Sequence, residues 1–364
     1  STSSHQALAA PDTAPSLQDR ADLTANSTID HTYGDAIHIS SIDELNSFAR
    51  NCTLDTWSVG KVFVLDTDID LTGADFDTIP SFGGTFLGQN HTITGLSLSG
   101  GSNNMAFFRY IQESGQVCQL NLSGDASAQS RHSGLALLAG VNQGVIRNCH
   151  VSGTVKGDEK SAAIAGINDS TGIISNCSAS GSVSGSHLVG GIAGENSGSI
   201  SDCQNHCSIN TLPDDNRIDI ANLDIDTTLT DLLTTENAAS VTDIGGITGS
   251  NAGSVRGCMN DGAVGYQHVG YNIGGIAGSQ SGFLEGCVNY GVLNGRKDIG
   301  GIAGQMEPSS HLQFDEDTLK KLNEEFNTLH DLLTKLDQDC GDSSSSLTSQ
   351  VDQLLNSVED AQNA

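Results

Sequence analysis

The chain has 364 residues, of which 43 are glycine, only 5 are proline and 4% are aromatic; this glycine excess without proline argues against a Pro/Gly-rich disordered polymer. Fifteen Lys and Arg face 44 Asp and Glu, a formal charge of −29, which disfavours nucleic acid and anionic membrane as partners because phosphates demand clustered cations. No apolar run approaches the roughly 18–20 residues that span a bilayer, so membrane insertion is not expected.

Residues 1–33 are rich in Ser, Thr and Ala without periodicity and read as a disordered tail. Ser1–Ser4 carries no basic run leading into an apolar stretch, and the expectation is that a leader and any anchor are absent from this chain. "SSIDELNSFAR" has Ser41 as a helix cap, Glu44 three residues on, and Ile42, Leu45 and Phe48 at helical spacing, so a short helix is expected to cover one end of a core. "KVFVLDTDIDL" reads as a strand on which Asp66, Asp68 and Asp70 alternate and face one side. Three like charges there are either solvated or bridged by Ca²⁺, the one cofactor the sequence suggests, though the glycine and distal glutamate of an EF-hand are missing.

Next comes the repeat. "LLAGVNQGVIRNCHVSGTV" begins at Leu137, "AIAGINDSTGIISNCSASGSV" at Ala163, "GIAGENSGSISDCQNHCSI" at Gly191, "GITGSNAGSVRGCMNDGAV" at Gly246 and "GIAGSQSGFLEGCVNYGVL" at Gly275, with a truncated copy at Gly301. The equivalent glycines Gly140, Gly166, Gly194, Gly249, Gly278 and Gly304 step by 26, 28, 55, 29 and 26 residues. Each unit reads as two or three short strands between Gly, Asn and Ser turns, too short to stand alone and stable only when stacked on the next unit. The fold class expected is an all-β repeat, a right-handed parallel β-helix solenoid over 34–308, with a C-terminal α-helical, coiled-coil-like segment over 309–364.

A fixed position in each unit becomes a file down the solenoid. Cys149, Cys177, Cys203, Cys258 and Cys287 form one such file, with Leu120 in the equivalent place of an earlier unit, and they read as buried free thiols because in-register side chains point alike and bridge poorly. Arg256 and Glu285 should likewise be neighbours. Two residues before each Gly-Gly stand Leu188, Asp243, Asn272 and Asp298. This Asp/Asn/Asp column is either turn chemistry or a ligand contact. The 55-residue step contains an acidic segment, 210–243, that is either a degenerate coil or an excursion; a binding site there would draw on Asp214, Asp215, Asp219, Asp224 and Asp226 beside the Asp243 column. After Pro308, Leu319, Leu322, Phe326, Leu329, Leu333 and Leu336 make a heptad seam, broken by "GDSSSS" and resumed at Leu347. It fits a helical hairpin, a homo-oligomer through 315–360, a stalk, or a helix packed on the open end of the solenoid.

"GGIAGENSGSISDC", "GGITGSNAGSVRGC" and "GGIAGSQSGFLEGC", with the opening "DTDIDL…GTFLGQNHTITGLSL", resemble the GLUG-type repeats of bacterial secreted and cell-surface proteins with a pectin-lyase-like β-helix, over about Ala36–Pro308. The resemblance implies export to the surface of a Gram-positive bacterium and a role in adhesion. Similar repeats accompany surface peptidases, but no H-E-x-x-H occurs among the eleven histidines. "GGIAGENSG" lacks the Lys-Ser/Thr ending of a phosphate loop, so the glycines read as corners. The function expected is a non-catalytic surface module binding a glycan or a host protein. The alternatives are a polysaccharide lyase or hydrolase, which would need paired carboxylates on adjacent coils, and a purely structural or self-associating stalk.

Overall fold

The computed structural model describes residues 35–129, 131–211 and 241–307, with helical residues at 324–325, 327–329 and 331–332. The proposed tail at 1–33 and most of 309–364 lie outside the described residues.

The chain winds as an all-β parallel solenoid. One coil runs through Ser133–Leu135, Ala139–Asn142, Val145–Arg147 and His150–Lys156, and the next through Glu159–Ser161, Ala165–Asn168, Ile173–Ser175 and Ser178–Ser184. Each full coil therefore carries four strands rather than two or three. Strands of three or four residues on three of the faces, separated by corners of two to four residues, leave too little pattern to be counted in the sequence. Stacked coils build four faces, of six, seven, nine and nine strands. Pairing is parallel and in register, as in Val145↔Ile173 and His150↔Ser178.

Because register is kept, like residues stack on like. Val117, Ile146, Ile174, Ile200 and Val255 make one inward file on the third face, and Leu138, Ile164, Ile192, Ile247 and Ile276 another at the corner that leads into the second. Each such side chain contributes about 1.5–3 kcal/mol when fully buried. The core is thin in these coils and bulkier at the N-terminal end, where Phe48, Phe63, Phe82, Phe86 and Phe108 interlock with ring centroids 4.7–6.3 Å apart. Phe48 comes from the helix Ile42–Asn51. Ser41 caps that helix: its Oγ accepts from Glu44 N at 3.1 Å and donates to Glu44 Oε1 at 3.3 Å. Leu45, Phe48 and Ala49 are turned into the core, so the helix closes the first end of the solenoid.

The corners explain the turn residues. The residue before each ladder position, Leu120 and the five cysteines, is left-handed: Gln119, Asn148, Asn176, Asp202, Gly257 and Gly286 have φ of 49–61°. Asn, Asp and Gly occupy this region at least cost.

The 55-residue step is also explained. His187, Ala193 and Ser199 pair directly with Thr242, Thr248 and Ser254. No rung separates these coils, so the coils that flank the 210–243 insertion stack directly on each other. Residues 212–240 themselves, including Asp214, Asp215, Asp219, Asp224 and Asp226, lie outside the described residues.

Candidate functional site

Cys149, Cys177, Cys203 and Cys258 stack in one fully buried file, continued by a half-buried Cys287 on the last coil, and Leu120 occupies the same position one coil before Cys149. Each ladder sulfur donates to the carbonyl two residues back, for example Cys203 Sγ to Ser201 O at 3.3 Å. All eight cysteines among the described residues are free thiols. Burial raises the Cys149 and Cys203 thiols well above their ordinary value, and pushes Cys52 and Cys207, which lie off the file, up to about 12. Burial of this kind favours the neutral thiol over the thiolate, the form that nucleophilic attack and metal ligation require.

The column before the Gly-Gly pairs is a second corner. Lys160, Leu188, Asp243, Asn272 and Asp298 all have φ of 56–62°. The backbone demand is therefore general, and Asp and Asn satisfy it with less strain than Leu188 or Lys160. Asp243 is already engaged: Asn272 Nδ2 donates to its Oδ1 at 2.8 Å, and His187 Nδ1 lies 3.3 Å from its Oδ2. The same His187 Nδ1 sits 2.5 Å from Thr242 Oγ1. A nucleophile relay needs the carboxylate on one ring nitrogen and the hydroxyl on the other. Here both crowd one nitrogen, so Thr242, His187 and Asp243 tie coils together rather than forming a triad. Asp298 is exposed on the last coil. Arg256 and Glu285 are in register on adjacent strands.

The aspartate trio departs from the expected single strand. The strand Val62–Leu65 ends before Asp66, and a new one, Ile69–Asp70, begins after a corner. Asp66 takes His38 Nδ1 at 2.8 Å, Asp68 takes Thr92 N at 2.8 Å, and Asp70 takes Thr72 N at 2.9 Å and Thr72 Oγ1 at 2.6 Å. The Thr92 amide holds the Asp68 carboxyl below its usual range, with a smaller contribution from His91. Each carboxylate serves its own partner. Among the described residues no three His, Cys, Asp or Glu side chains gather as a metal cage.

Two features escaped the sequence reading. The first is a pair of buried amide ladders. Asn142, Asn168, Asn196, Asn251 and Gln280 are buried, and each of the four asparagines donates from its Nδ2 to the next side-chain oxygen at 2.8–2.9 Å, the file ending on Gln280 Oε1. Asn205, Asn260 and Asn289 repeat the device at 2.8 Å. The recurrent Asn in "VNQG", "INDS", "ENSG" and "SNAG" was the available signal.

The second feature is a polar trough of about 310 Å³ on the outer side of the fourth face. Thr92, Asn121, His150 and Ser178 form one wall in register, and Ser123, Ser152 and Ser180 the other. His150 Nδ1 and Ser178 Oγ are 2.6 Å apart. The lining contains hydroxyls, an amide and one exposed imidazole, with no carboxylate, on a chain of charge −29. Its outward residues alternate with the buried Leu122, Val151 and Ala179, so rigid core packing fixes their spacing.

No helix among the described residues is long and apolar enough to cross a membrane. No family model matches the chain, and no solved structure matches it. Among curated proteins, Halomucin from Haloquadratum walsbyi is 29% identical over 135 residues, which are 37% of this chain and 1% of that protein, so the chain spans a very small part of that relative.

Proposed function

We propose that this chain is a non-catalytic, exported surface module of the GLUG-repeat type that binds a neutral linear glycan along the fourth face. The β-helix is right-handed, as parallel crossovers are, and 309–364 is its helical, coiled-coil-like extension. The trough carries the proposal. Ser, Thr and Asn side chains each donate and accept, which suits sugar hydroxyls that do the same. The rungs repeat at about 4.8 Å, so an extended chain meets a polar partner on every coil without the protein having to move. The acidic surface elsewhere disfavours polyanions, which leaves the carboxylate-free trough as the part suited to an uncharged polymer. His187 and Asp243, whose contacts hold coils together, speak for binding rather than turnover.

The test is a glycan array followed by calorimetry on the full chain, with a reducing-sugar assay in parallel. Neutral linear glycans should bind, and His150→Ala and Asn121→Ala should each weaken binding about tenfold with an unchanged circular dichroism spectrum, one lost polar contact corresponding to about 1.4 kcal/mol. Release of reducing ends abolished by Asp243→Asn or Asp298→Asn would establish the enzymatic alternative instead.

A further inference from the structure

The two ends of the solenoid differ. The first is closed by Leu45, Phe48 and Ala49 of the helix Ile42–Asn51. At the other, the last coil runs through Phe283–Glu285, Val288–Asn289, Lys297–Gly300 and Ala303–Met306, and each of these strands terminates its sheet. Its core positions are open. Ile302 is 38% exposed where Ile276, one coil back, is 0%. Cys287 and Leu293 are half-buried where Cys258 and Val264 are buried. Seven of the eleven exposed large apolar side chains among the described residues lie between Phe283 and Met306. Such an end, with unpaired backbone and a bare core, invites edge-to-edge association unless something covers it.

We propose that the chain's own heptad helix, Leu319 to Leu336, docks on this end as its cap. Four observations converge on that occupant. The seam Leu319, Leu322, Phe326, Leu329, Leu333 and Leu336 spans eighteen residues, a helix about 27 Å long. Twelve residues separate Met306 from Leu319, and extended chain reaches up to roughly 3.3–3.6 Å per residue, enough to turn back over the last coil. Within the helical residues described, Thr328 and Leu329 are half-buried and Leu332 is buried, whereas Glu324, Glu325, Asn327 and Asp331 are exposed, so these residues present one sheltered, largely apolar side and one charged side. Charge also matches: Arg296 and Lys297 sit exposed on the last coil, and the helix offers Glu324, Glu325 and Asp331. The cap repeats at the second end the device the first end uses.

The experiment follows Cys287, the half-buried ladder thiol on the last coil. In the full chain carrying Cys340→Ser, its labelling by a maleimide is timed under native conditions, with light scattering for mass. A docked helix predicts a monomer in which Cys287 labels slowly. Leu322→Asp with Leu329→Asp should speed labelling at least tenfold and produce concentration-dependent association, while the β-sheet circular dichroism is kept. Glu324→Arg with Glu325→Arg, which leaves the apolar seam intact, should speed labelling several-fold. Equal labelling rates in parent and both variants overturn the proposal. So does a parent that is dimeric and loses Cys287 protection on dilution, because the cover is then a second copy.

Discussion

Asn196 gives the sharpest test of what holds the coils in register. Its side chain is fully buried; its Oδ1 accepts from Asn168 Nδ2 at 2.8 Å, and its Nδ2 donates to Asn251 Oδ1 at 2.9 Å. In Asn196→Ala the Asn168 amide keeps its bonds to Gly172 O and Ser199 O, at 3.2 and 3.3 Å, but Asn251 Oδ1 loses its only ladder donor. An orphaned buried acceptor costs about 1–3 kcal/mol, and the small void adds to that, on the order of 1 kcal/mol. The expected loss is therefore about 2–4 kcal/mol, measured as a fall in the urea midpoint. Asn176 serves as the comparison. It also bonds along the stack, to Asn148 Oδ1 at 2.6 Å, but in an exposed corner. Asn176→Ala should cost only the left-handed strain of about 1–2 kcal/mol, and Asn176→Gly almost nothing. The ladder is also coupled, so Asn168→Ala combined with Asn196→Ala should cost less than the sum of the single changes. Because solenoids unfold in part as well as whole, hydrogen exchange should place the loss in the coils flanking 196. If Asn196→Ala costs no more than Asn176→Ala, the amide ladder is not what stabilises the stack.

Three further outcomes follow from the geometry. A Cβ at Gly153, which has φ +143°, would lie 1.7 Å from Gly124 O, whereas at Gly286, with φ +61°, nothing approaches closer than 3.8 Å; Gly153→Ala should cost more than 3 kcal/mol and Gly286→Ala about 1 kcal/mol in thermal melts. Ser41→Ala removes the N-cap and should cost about 1 kcal/mol, seen first as loss of protection in Ile42–Asn51. The thiols of Cys52 and Cys207 rise from the model-compound value of 9.0 to about 12 on folding. An acid whose folded pKa is raised holds more protons folded than unfolded, so its stabilisation is complete below pH 9 and declines between 9 and 12 by about 1.4 kcal/mol per pH unit for each thiol. A melting temperature that stays flat from pH 8 to 11 would contradict this.

The parts legible in the sequence are those that repetition writes down. Gly140, Gly166 and Gly194 recur because every coil turns at the same place, and Cys149, Cys177 and Cys203 recur because one inward position faces its copies; the stack follows from the spacing alone. The amide ladders were hidden by the same residues that betrayed the corners. Asn148 and Asn176 are turn residues at φ of 54° and 49°, whereas Asn142 and Asn168, equally periodic, are buried, Asn142 donating to Asn168 and Asn168 to Asn196. Composition cannot separate them, since an isolated amide belongs in water and only a stack of identical amides is satisfied inside. Asp66, Asp68 and Asp70 misled because alternation was read across a corner that no glycine or proline marks. The trough was missed because its serines are unremarkable singly and acquire meaning when three coils bring Ser123, Ser152 and Ser180 into line.

The corner between Thr211 and Val241 has a use in protein engineering. Gly157 and Asp158 make that turn between Lys156 and Glu159, yet here twenty-nine residues of sequence lie between Thr211 and Val241 while the rungs on either side remain in contact. Asn210 pins the departure by gripping Gly185 through both amide atoms, at 2.8 Å each. Because each doubling of a flexible loop costs only about 0.6 kcal/mol in closure entropy, the scaffold is nearly indifferent to what is spliced there. The same socket could carry an epitope, an enzyme or a longer loop without renegotiating the stack beneath it.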